Sequence, residues 1–128
     1  MEKEAKKTPT LAEAPSSAEC TSRLGALEDA LYVIGGKWKL KVIIALREGD
    51  VKRFNELQRR IPGISAKMLS SELRDLEING FVSRTVHNQV PVIVEYELTE
   101  YSASLSRVLY ELVEWGKTHR EKIREMRS

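Results

Sequence analysis

Lys67, Ser70, Ser71 and Arg74 recur at the spacing of one helix face, opposite Leu69, Leu73 and Leu76. The outer set holds two cations and two short hydroxyls, with no carboxylate. Such a face can come close to phosphates and to the hydrogen-bonding edges of bases. Ser65 stands just before it in the position of an N-cap. Its hydroxyl and the free N–H groups beside it suit an anion at the positive end of a helix. A plain solvated helix face has the same composition, so the reading depends on the elements around it.

A helix over 53–61 precedes this one, with Phe54, Leu57 and Ile61 as its inner stripe. Pro62-Gly63 stops it, because proline disfavours a helical residue before it. Two helices joined by such a short break have the form of a helix-turn-helix, the second running over 65–79. After Gly80 the period changes to two. Residues 81–87 and 92–98 form two strands around a polar tip, His87-Asn88-Gln89-Val90-Pro91. Helix, turn, helix and hairpin in that order predict a winged helix, with 88–91 as the wing tip. Asn88 and Gln89 on the wing, and Arg53 at the start of the preceding helix, are candidates for backbone or minor-groove contacts.

Two further helices lie upstream. Leu24, Leu27, Leu31 and Ile34 share one face of the first, which Gly35-Gly36 ends. The second, over 38–47, is apolar nearly all round and is expected to be central. The last helix, from about residue 102, carries Leu105, Val108, Leu109, Leu112, Trp115, Gly116, His119 and Ile123 on one stripe. That exceeds what a thin core needs. It predicts a homodimer in which Leu105, Leu109, Leu112 and Trp115 meet a partner copy, with Leu24, Leu27 and Leu31 as the opposing surface. The alternative is that the helix folds back on its own domain. The predicted fold is mostly α with a small β-hairpin wing: a winged helix-turn-helix with N- and C-terminal dimerisation helices.

With 128 residues the chain fits one domain, expected over 23–128 behind a flexible arm over 1–22. Residues 36–90 hold eleven Lys/Arg against six Asp/Glu, whereas the rest hold ten against thirteen. A basic middle suits an anionic partner. No apolar run is long enough to span a bilayer, and the first residues lack a secretory hydrophobic stretch, so no membrane partner is expected. One cysteine, Cys20, excludes an internal disulfide framework and makes the cytoplasm the default compartment. His87 and His119 lie in no metal-binding spacing, and Gly35-Gly36 in no phosphate loop. No catalytic residue, metal or cofactor is read, nor any effector. Trp38 and Trp115 read as core or interface residues.

Several runs together resemble the HxlR-type winged-helix regulators. They are Val33-Ile34-Gly35-Gly36-Lys37-Trp38-Lys39-Leu40, Lys52-Arg53-Phe54-Asn55-Glu56-Leu57 and Ile61-Pro62-Gly63-Ile64-Ser65. Lys67-Met68-Leu69, Leu73-Arg74-Asp75-Leu76-Glu77, Gly80-Phe81-Val82-Ser83-Arg84 and Val94-Glu95-Tyr96-Glu97-Leu98-Thr99 follow in order. The resemblance implies a homodimer on double-stranded operator DNA, with the 65–79 helix in the major groove. It also implies an interface made by the first and last helices. Several members of that family sense oxidants or aldehydes through a cysteine ten positions before the Gly-Gly pair. Here that position is Gly25, and Cys20 lies upstream of it. The rival reading is a winged helix used for protein–protein contact, which would favour apolar or acidic residues on the face that Lys67, Ser70, Ser71 and Arg74 occupy.

Overall fold

The computed structural model describes residues 16–128. They form two compact units, divided after Ile34.

The first unit is a single helix, α1 (Ser17–Ile34). It starts six residues before the end of the expected arm, for a local reason. The Ser16 N–H donates to the Glu19 carboxylate at 2.9 Å, and the Glu19 N–H donates to the Ser16 hydroxyl at 3.2 Å. This reciprocal pair satisfies two helix-end donors. The same contact holds the Glu19 carboxyl below its ordinary range. The pattern Ser16-x-x-Glu19 is legible in the sequence but is masked by the neighbouring Pro15 and serines. Residues 17–22 are therefore helical, and the first fifteen residues of the expected arm lie outside the described residues. No residue of α1 is buried.

The second unit runs α2 (Lys39–Glu48), α3 (Phe54–Arg60), α4 (Ala66–Ile78), β1 (Val82–His87) and β2 (Ile93–Leu98). A short 3-10 helix (Glu100–Leu105) and α5 (Ser106–Arg127) complete it. The central helix is α2, packed on α3, α4 and β2. It buries Val42, Ile43 and Ala45 among Leu57, Ile61, Ile64, Leu69, Leu73, Leu76, Phe81 and Val82. Each of the large aliphatic side chains in that set contributes about 1.5–3 kcal/mol by leaving water.

Two glycines set the geometry of the recognition element. In the turn after α3, the Ile64 N–H donates to the Ile61 carbonyl at 3.3 Å, with Gly63 at φ +85°. Proline and then glycine at the two central positions match a type II turn, which requires that positive φ. At the end of α4, Gly80 has φ +84°, and the N–H groups of Gly80 and Phe81 donate to the carbonyls of Glu77 and Leu76. This Schellman arrangement stops α4 and launches β1.

The hairpin pairs antiparallel, with Val82 opposite Leu98, Arg84 opposite Tyr96 and Val86 opposite Val94. The Tyr96 N–H also donates to the Lys52 carbonyl at 2.8 Å, tying the wing to the segment before α3. Thr99 caps the short 3-10 helix that leads into α5. Its hydroxyl accepts from the Ser102 N–H at 3.3 Å, and the Ser102 hydroxyl donates to the Thr99 carbonyl at 2.6 Å.

Candidate nucleic-acid interface

The Ser65 hydroxyl accepts from the Met68 N–H at 3.1 Å, so it caps α4 as expected. Its own O–H and the first free N–H groups of the helix remain for a ligand. Leu69, Leu73 and Leu76 are buried on the inner face, and Lys67, Ser70, Ser71 and Arg74 are all exposed on the other side. Two of the three acids of α4, Glu72 and Asp75, are met from α2. Lys39 Nζ lies 2.8 Å from Glu72 and 3.4 Å from Asp75. The hydrogen bond to Glu72 raises the Lys39 pKa above the ordinary lysine value. Those two carboxylates are thereby neutralised beside α2, away from the basic face.

Arg53 is exposed at the N-terminus of α3, where its backbone N–H donates to the Glu56 carboxylate at 3.2 Å. Asn88 and Gln89 are exposed at the hairpin tip. The tip is less polar than expected, since Val90 is 99% exposed and Val92 is exposed beside it. The outer face of the hairpin is acidic but paired. Lys52 binds Glu97, and His87 Nε2 sits 2.9 Å from Glu95. The Lys52 contact lowers the Glu97 pKa.

Sequence reasoning missed a cleft of about 330 Å³ between α4 and the inner face of the wing. Ser70, Leu73, Arg74 and Glu77 line one wall, and Arg84 and Tyr96 the other. The alternation of β1 separates Arg84 from Ser83 and Thr85. Its partner Tyr96 and its neighbour α4 follow only from strand register and docking. The Trp38 ring, half-buried at the start of α2, has the ammonium groups of Lys37 and Lys41 at 4.8 and 4.9 Å from its centre.

The expected interface set divides. Leu105 and Leu109 are 9% and 4% exposed within one chain, so they belong to its core and are not free to meet a partner. Leu109 faces Ile44 of α2 across a shared cavity. Beyond Leu109, α5 buries no residue, because the helix, at 22 residues about 33 Å long, outruns the domain it packs on. Leu112 and Trp115 remain exposed, at 46% and 65%, as do Leu24, Leu27 and Leu31 on α1. His119 stacks on Trp115 with ring centres 4.9 Å apart. Among the described residues, no three His, Cys, Asp or Glu side chains gather as a metal site. No described helix is long and apolar enough to cross a membrane.

Residues 33–124 match the model of a family described as HxlR-like helix-turn-helix. The HTH-type transcriptional regulator YtcD of Bacillus subtilis is 49% identical over 94 residues, covering 73% of this chain and 74% of that protein. A crystal structure of a YtcD regulator superposes with a TM-score of 0.69 at 47% identity, over 74% of this chain and 96% of the other. The reduced form of the redox regulator HypR does so with a TM-score of 0.67 at 42% identity, over 78% and 98%.

Proposed function

The chain belongs to the HxlR-like helix-turn-helix family, and on that premise we propose that it is a transcription regulator binding duplex operator DNA as a homodimer. The observation that carries this reading is the exposed face of α4. Lys67, Ser70, Ser71 and Arg74 stand in solvent there, while Lys39 holds the acids Glu72 and Asp75 to the side. In this reading α4 lies in the major groove, and Lys67, Ser70 and Ser71 meet base edges. Arg74, further along the helix, reaches a guanine or the backbone. Ser65 and the free N–H groups at the start of α4 hold a phosphate. Arg53, Asn88 and Gln89 add backbone or minor-groove contacts.

What supports the dimer is apolar surface left exposed among the described residues. Leu24, Leu27 and Leu31 on α1, and Leu112 and Trp115 on α5, are too many exposed large side chains for helices that end in water. A partner copy covers them and supplies a second recognition helix. The protein acts in the cytoplasm, where the operator is.

Selecting bound sites from a random duplex library tests the reading. The expected result is a paired half-site, and an affinity that falls steeply with salt. Absence of any duplex binding at low salt overturns it.

The relative HypR is a redox regulator. In this chain the one cysteine, Cys20, is exposed on α1 and has no second cysteine with which to form an internal bridge. Cys20→Ser is expected to bind operator like the parent, with or without mild oxidant. An oxidant response in the parent that disappears in Cys20→Ser would show a sensor, acting through a bridge between two protomers.

A further inference from the structure

The cleft between α4 and the wing holds two guanidinium side chains, Arg74 and Arg84, against one carboxylate, Glu77. Among the described residues, neither arginine lies within ion-pair distance of an acid. A net positive, polar cleft of about 330 Å³ is large enough for a tetrahedral oxyanion with its water.

Hairpin register explains why Arg84 is there. Buried Val82 opposite half-buried Leu98 forms the base of the wing, and Arg84 opposite Tyr96 is the next pair outward on the same face. That face looks onto α4, whereas Glu95 and Glu97 lie on the other face, matched by His87 and Lys52. The wing therefore presents its cation toward the recognition helix and its acids away from it.

A helix lying in the major groove has a sugar–phosphate strand along each flank. Ser70 and Arg74 occupy the flank of α4 toward the wing, and Lys67 and Ser71 occupy its centre. We propose that this cleft seats one DNA phosphate per protomer, held by the Arg84 guanidinium with the Tyr96 hydroxyl as a neutral donor. The proposal rests on the DNA-binding reading above. It assigns Arg84 a sequence-independent role, distinct from base reading by the centre of α4. Glu77 opposes the phosphate and limits how tightly any duplex is held.

The test compares full-length variants on a selected operator and on random duplex, each over a range of salt. Arg84→Ala should weaken both duplexes by the same factor, about tenfold per protomer for a lost charge-assisted hydrogen bond. The slope of log affinity against log salt should shrink by about one per protomer. Arg84→Lys should keep that slope while losing part of the affinity, because the charge stays and the bidentate fork goes. Glu77→Gln should tighten both duplexes alike. Circular dichroism and melting of each variant separate a binding loss from unfolding, and the exposed Arg84→Lys serves if Arg84→Ala melts early.

If the parent binds operator but Arg84→Ala keeps its affinity and slope, the phosphate site is wrong and the DNA reading stands. A change in base preference at one operator position in Arg84→Ala also overturns it, in favour of base contact. A parent that binds no duplex removes the premise instead.

Discussion

Replacing Lys67, Ser71 and Arg74 together by alanine is expected to bring operator affinity down to the level of random duplex. Each base contact contributes about 1–3 kcal/mol, so the triple variant loses on the order of a hundredfold or more. All three side chains are exposed on one face of α4, and none belongs to the core. The melting temperature should therefore change little, which separates this loss from unfolding. The single variants should divide by contact type. Lys67→Ala and Ser71→Ala should relax preference at one position in each half-site. Arg53→Ala should weaken all sequences alike and lower the salt slope by about one per phosphate lost. Operator affinity and preference left intact by the triple variant would refute the recognition-helix assignment. A protein-binding role for the same face would then lead.

The second large effect separates two leucines three positions apart. Leu112 is 46% exposed and Leu109 only 4%. Leu112→Asp should dissociate the dimer and with it most operator affinity, because it places a charge in an apolar seam. The fold of each chain should survive. Leu109→Ala should instead lower stability by about 2–5 kcal/mol, as expected for a truncated core leucine. Sedimentation at micromolar concentration, beside thermal melting, reads both. A parent that sediments as a monomer and still binds operator fully would contradict the dimer. So would a Leu112→Asp variant that stays dimeric.

The helix-turn-helix itself was open to reading from sequence, since its signals are local. Pro62-Gly63 makes the turn within four residues, Ser65 caps the next helix three residues ahead, and Leu69, Leu73 and Leu76 need only the helical period. The candidate face of Lys67, Ser70, Ser71 and Arg74 follows from the same period. The start of α1 was legible too, in Ser16 and Glu19, but composition pointed to an arm.

Other features belong to tertiary structure. The stripe from Leu105 to Ile123 shows eight positions with one period, and periodicity cannot say which of them meet the chain's own core. Only the folded chain turns Leu105, at the end of the 3-10 helix, and Leu109, which faces Ile44 of α2, inward, and leaves Leu112 and Trp115 outside. Lys39 is one lysine among many until α2 crosses α4 and brings it to Glu72. Arg84 reads as an ordinary strand residue until register sets it opposite Tyr96 and docking turns that face to Ser70 and Arg74. Period, cap and turn are interactions between residues a few positions apart, so the sequence alone determines them. Which face of one element meets which face of another depends on how the buried areas of all the elements close together, and that is decided only in the folded chain.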